Sequence, residues 1–159
     1  MQQQHSVFTL DRMEDIMPLI REALSAGQSV RIYPMGTSML PMLRQKVDSV
    51  LLSPITGKLR KYDIPLYQRD NGKYVLHRIV GEGETYTCIG DNQFQFEPGI
   101  RPDQLIAVVT AFYRGERKYT VTALGYRLYC HAWHHSRRLR KFWRRCLGWL
   151  KRQLRQWKN

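Results

Sequence analysis

Ser38 stands in the stretch Gly36-Thr37-Ser38-Met39-Leu40-Pro41, where residue types and spacing are suited to chemistry. A glycine two residues before the serine lets the backbone turn sharply and lets another segment approach closely. Pro41 fixes its own φ and restricts Leu40 to extended geometry, so the serine sits on a stiff bend. A serine hydroxyl hardly ionises near neutrality. As a nucleophile it needs a base within reach and donors for the oxyanion that its attack creates. Of the five histidines, His5 lies at the N-terminus and His131, His134 and His135 lie in a basic tail. Only His77 falls inside the strand-rich core, flanked by Leu76 and Ile79. Asp91 and Glu97 follow in the loop after the next strand, and either could orient the imidazole as the third member of a triad does. Each element also has an ordinary role. A Gly-x-Ser with a nearby proline is a common turn, and His77 could be a cross-strand histidine. Asp91-Asn92 and Glu97-Pro98-Gly99 are both turn formers. The ordered set is what carries the signal.

The elements that must position these residues are short strands. Val30-Arg31-Ile32-Tyr33 leads into the Ser38 bend, and Val47 to Leu52 leads away from it. Ile64 to Gln68 and Tyr74 to Val80 read as two strands joined by Arg69-Asp70-Asn71-Gly72, where Asn-Gly is a strong hairpin signal because both residues accept positive φ. Thr85 to Ile89 is another strand. After a polar loop, Leu105 to Arg114 and Lys118 to Leu124 form a last hairpin about Gly115-Glu116. Many short strands with glycine-rich turns predict a mainly β fold, an antiparallel sheet coiled on itself or a partly open barrel. Ahead of it, Met13, Ile16, Met17, Ile20 and Leu24 recur at helical spacing over roughly residues 11–26, with Asp11, Glu14 and Asp15 at the positive end. Gly27 is a natural stop. Pro18 fits best in a first turn, which would start the helix later than the apolar pattern does.

The chain has 159 residues and a net charge of +13, and the charge is not spread evenly. Residues 1–125 carry 15 Lys+Arg against 13 Asp+Glu, whereas residues 126–159 carry 11 Lys+Arg, no acid, and all four tryptophans. Three parts follow: a helical segment over 1–28, a β domain over 29–125 and a basic tail over 126–159. Three cysteines, Cys88, Cys130 and Cys146, form no paired framework and point to a reducing compartment. The N-terminus lacks the basic start and apolar run of a secretory signal. No apolar stretch approaches the roughly 20 residues of a membrane-spanning helix.

The ordered boxes Gly36-x-Ser38-Met39-x-Pro41, His77-Arg78-Ile79-Val80 and Gly90-Asp91-Asn92 together resemble the type I signal peptidases and their LexA-like relatives, over roughly residues 28–114. Most bacterial members carry a lysine where His77 stands. The His-Arg-Ile-Val form is similar to the endoplasmic-reticulum and archaeal type. The resemblance implies Ser38 as nucleophile and His77 as general base. Asp91 matches the aspartate of the Gly-Asp-Asn box, and Glu97 matches the acidic residue six positions further on. It also implies a substrate and oxyanion loop formed by Gly36, Thr37, Met39 and Pro41. Many relatives place a hydroxyl residue where Gly36 stands, so the backbone N–H of Ser38 is left as the oxyanion donor. Tyr62, before Asp63, replaces a usual glycine. The family's N-terminal membrane anchor has no counterpart here. A self-cleaving repressor would need a helix-turn-helix ahead of the β domain, where only one helix is read.

From Tyr126 the period turns helical. Leu139, Trp143, Cys146, Leu147, Leu150, Leu154 and Trp157 form an apolar stripe opposite Arg and Lys, and Gly148 within it costs about 1 kcal/mol against Ala. This pattern predicts one basic amphipathic helix lying on an anionic membrane surface. Docking on the β domain or a partner helix is the second option. Nucleic acid is disfavoured, because it has no use for the stripe. Cys130, His131, His134 and His135 share helical faces, but the surrounding cations oppose a divalent ion, so no metal is expected. No cofactor is expected either. The expectation is a serine endopeptidase that removes a leader or signal-like segment from a peptide precursor, cytoplasmic and peripheral at the inner membrane face. The alternative is a non-catalytic peptide-binding or membrane-surface module on the same fold.

Overall fold

Met17, Ile20 and Leu24 bury one stripe of a helix, α1 (Met13–Ser25), against the larger of two sheets. Gly27, at φ +74°, closes it in the left-handed conformation, with Gln28 N–H donating to Ala23 O and Gly27 N–H to Leu24 O. Those are the paired bonds of a Schellman cap. The helix begins at Met13 with Pro18 inside it, earlier than the proline suggested. Burial of Met17 and Ile20 on either side of Pro18 holds the turn that lacks its N–H. The computed structural model describes residues 7–8 and 13–156. His5, Asp11 and Trp157 lie outside the described residues, as do the side chains of Leu150 and Leu154.

The architecture is mainly β, with two sheets and no closed barrel. The strands are β1 (Val7–Phe8), β2 (Val30–Ile32), β3 (Asp48–Ser53), β4 (Pro65–Gln68), β5 (Tyr74–Leu76), β6 (Arg78–Gly81), β7 (Tyr86–Ile89), β8 (Glu97–Ile100), β9 (Leu105–Arg114) and β10 (Arg117–Thr120). The larger sheet runs β1-β2-β3-β9-β4-β5, with β10 also paired to β9, and only the β1–β2 pair is parallel. β9 is its spine: β3 pairs along one side, while β4 and then β10 share the other. The smaller sheet is β6-β7-β8.

Three local expectations are corrected. The segment Tyr74 to Val80 is not one strand: it breaks at His77, where the chain leaves the larger sheet and enters the smaller one. In the loop before β5 only Gly72 takes positive φ, so the hairpin turns on three residues rather than on a paired Asn-Gly. Glu97-Pro98-Gly99 is not a turn but the start of β8, paired to β7 through Cys88–Glu97 and Tyr86–Ile100. Pro98 and Gly99 fall in the irregularity between those pairs, where a missing N–H and a φ of +80° are tolerated.

The tail is two helices, α2 (Leu124–His135) and α3 (Arg137–Gln156), separated at Ser136. α2 lies against the β domain. Its Cys130 is buried, and Tyr62 packs its ring edge-on to His131 at 4.8 Å and to His134 at 5.9 Å between centroids. Tyr62 sits at φ +79°, a conformation unusual for a bulky side chain. Its carbonyl accepts from Arg78 Nη1 at 3.1 Å, its N–H donates to Ile79 O, and its ring is held by α2.

Candidate active site

The loop between β2 and β3 is anchored from below by Met39, Met42 and Leu43, all buried, which leaves Ser38 half-buried on the upper side. Gly36 makes the turn at φ +87°. The Leu40–Pro41 peptide is cis. The loop is tied to the segment after β7, where Asn92 N–H donates to Ser38 O at 2.8 Å and Asn92 Nδ2 donates to Thr37 O at 3.1 Å. Gly90 permits this approach. A Cβ there would stand 2.7 Å from Ser38 O and 3.0 Å from Ser38 Cβ, so only glycine fits.

His77 occupies the junction between the sheets and is 3% exposed. Ser38 and His77 line one cavity of about 190 Å³, together with Met35, Arg69, Leu76 and Gln93. Ser38 Oγ makes no hydrogen bond among the described residues, and the Ser38 N–H engages no acceptor there. The imidazole also meets a polar chain. Tyr67 O–H donates to Glu97 Oε2 at 2.8 Å, and the Tyr67 oxygen lies 3.3 Å from His77 Nδ1. Glu97 Oε2 is 3.5 Å from the same nitrogen. Because the Tyr67 proton is committed to Glu97, Nδ1 must be the donor toward the tyrosine and carboxylate oxygens. That tautomer leaves Nε2 as the bare acceptor.

The electrostatics agree with this assignment. Burial pushes the His77 imidazole below its ordinary value, and Glu97 restores only part of that shift. At neutral pH His77 is therefore a neutral base. Burial opposes ionisation of Glu97, but hydrogen bonds from Arg69 and Tyr67 outweigh it and hold the carboxyl below its ordinary value. Arg69 grips Glu97 in bidentate fashion, at 2.5 Å and 2.6 Å. Glu97 thus stays negative beside the imidazole.

Asp91 has a different task. It forms a buried, bidentate ion pair with Arg78, Nε to Oδ1 at 2.8 Å and Nη2 to Oδ2 at 2.7 Å. Arg78 is further satisfied by Tyr126 Oη at 2.6 Å and Cys130 Sγ at 3.0 Å, both from α2. The Asp91 carbonyl accepts from Trp133 Nε1 at 2.9 Å. Asp91 therefore joins the β domain to the tail, and its carboxylate is taken up by Arg78 whereas that of Glu97 meets the imidazole. Among the described residues no cluster of His, Cys, Asp and Glu could hold a metal ion.

Tyr67 and Arg69 were not singled out from sequence. Tyr67 reads as a core position of β4, and Arg69 as part of a hairpin turn. The only available signal was their period-2 spacing, which sends both side chains to one face. Comparison with protein-family models, curated proteins and solved structures returns no match for this chain.

Proposed function

We propose that this protein is a serine endopeptidase that removes a leader or signal-like segment from a peptide precursor, using Ser38 as nucleophile and His77 as general base. The observation that carries the reading is the chain Arg69–Glu97–Tyr67–His77, which orients a buried imidazole in the cavity that Ser38 also lines, while burial favours its neutral form. In the reaction, Nε2 takes the Ser38 proton as Oγ attacks the scissile carbonyl. The Ser38 N–H donates to the oxyanion, and the imidazolium, steadied by Glu97, returns the proton to the leaving amine. Water then repeats the sequence and releases the acyl group. An extended substrate has a natural seat, because β5 ends the larger sheet and Tyr74, Val75 and Leu76 line the cavity. A free strand edge of this kind takes a peptide as an added strand. The resemblance to type I signal peptidases, in its histidine-base form, supports the same reading through the three boxes.

Incubation with precursor peptides encoded beside this chain, followed by mass spectrometry, tests the proposal. Cleavage should occur with the native protein and vanish in a folded Ser38→Ala variant; retained cleavage in that variant would overturn the assignment. A second reading, a peptide-binding module without catalysis, draws on the absence of a Ser38–His77 hydrogen bond. It predicts that the precursor is bound and never cut. Catalytic hydrogen bonds commonly tighten only when substrate is bound, so the open geometry is also what a peptidase at rest would show.

A further inference from the structure

α3 rests on the β domain through its arginines, not through its apolar stripe. The Arg137 guanidinium lies 4.7 Å over the Phe96 ring. Arg140 lies 3.5 Å over Trp133 and donates to the Asp91 carbonyl. Arg144 donates to Asn92 Oδ1 at 2.6 Å. The stripe is left outside: Leu139, Phe142, Trp143, Leu147 and Trp149 are each between 52% and 62% exposed. An amphipathic helix normally buries that side. The stripe also continues onto the catalytic loop, since Leu40, Pro41 and Phe94 line an open groove of about 470 Å³ with Leu139, Trp143 and Leu147. Arg138, Lys141 and Arg145 are exposed beside it, and residues 126–159 contain no acid.

From this arrangement we infer that α3 docks on an anionic phospholipid bilayer, with Leu139, Phe142, Trp143, Leu147 and Trp149 entering the headgroup boundary and Arg138, Lys141 and Arg145 meeting lipid phosphates. Charge complementarity selects this occupant. A surface of one sign along the flank and a row of large apolar side chains, two of them tryptophan, match the two layers of a lipid interface. α2 takes no part, because Tyr126, Cys130 and Trp133 are already engaged by the β domain. Docking brings Leu40 and Pro41 to the lipid surface, which sets Ser38 two residues from it. A membrane-lying segment would therefore reach the cavity without leaving the interface. The inference is independent of the peptidase reading.

Vesicle flotation of the full chain tests it without reference to activity. Binding to phosphatidylcholine vesicles containing phosphatidylglycerol should be at least about tenfold tighter than to phosphatidylcholine alone, and should weaken as salt rises. Replacing Arg138, Lys141 and Arg145 together by Gln should weaken it about a hundredfold. In the unmodified chain, brominated acyl chains in the anionic vesicles should quench tryptophan fluorescence, a readout that requires no variant. Equal binding to both vesicle types, no binding, or no quenching would overturn the inference. So would a Trp143→Ser/Leu147→Ser variant that still floats but no longer captures precursor peptide, because the groove would then be a peptide site.

Discussion

Glu97 Oε2 lies 3.5 Å from His77 Nδ1, with the Tyr67 hydroxyl lodged against both. The relationship joins the first residue of β8 to the junction between the two sheets, so a carboxylate twenty positions downstream faces the imidazole. Glu97, not Asp91, is the carboxylate that faces the imidazole.

The first consequence is a pH profile. In the proposed mechanism neutral His77 is the base, and burial holds its pKa below the ordinary 6.5. The value of kcat/KM for precursor cleavage should rise with pH, with its midpoint below 6.5. In Glu97→Gln the largest influence that raises the imidazole pKa is gone. The midpoint should move further to acid while kcat/KM falls by about 10²-fold or more. An unchanged midpoint would show that Glu97 does not govern the base.

Asp91 should behave differently. Asp91→Ala leaves the Arg78 charge buried without its partner, a loss of about 3–5 kcal/mol in stability. Denaturant unfolding should show that loss, and the pH midpoint of whatever activity survives should move to acid by less than in Glu97→Gln, because Asp91 raises the imidazole pKa less than Glu97 does. A shift as large as that of Glu97→Gln would return Asp91 to the group that orients His77.

Gly90 separates positioning from folding. In Gly90→Ala the new methyl meets Ser38 O at 2.7 Å, and the bend must move. Cleavage should drop by roughly 10²-fold, as displacement of a reacting group by about 1 Å does. Urea unfolding should change much less than for Asp91→Ala.

The native state should be sensitive to acid. His77 is held below its ordinary value by burial, and His134 is brought down to about 4 by burial and then by Arg137. Glu97 is also held below its ordinary 4.5. Each folded pKa is lower than its unfolded counterpart, so the unfolded chain binds more protons and stability rises with pH. The histidine contributions are complete above about pH 6.5 and decline as the pH falls below it; Glu97 follows below 4.5. Unfolding midpoints measured from pH 7.5 to 4 should decrease toward acid, and His77→Gln should flatten the upper part of that decrease.

Much of the site was legible because its signals are local. The glycine and proline around Ser38, the apolar period of α1 and the Gly115 hairpin act within a few residues of themselves. What escaped depends on distant partners. β8 was hidden because Glu97-Pro98-Gly99 has turn composition, and only pairing with β7 makes it a strand. The break at His77 follows from the chain passing between sheets, which no period records. Asp91 and Glu97 are both candidates by order along the chain, and order alone does not show which of them meets His77. The Asp91 partner Arg78 and the α2 residues that cover them are brought in only by tertiary folding. The tail read as one helix because its stripe runs past Ser136 with little visible change.

The central claim, Ser38 activated by His77, is tested most directly by intact-protein mass spectrometry after exposure to a fluorophosphonate. A single adduct on Ser38 is predicted, absent in Ser38→Ala and formed far more slowly in His77→Ala. No adduct, or one that persists in Ser38→Ala, would contradict the account.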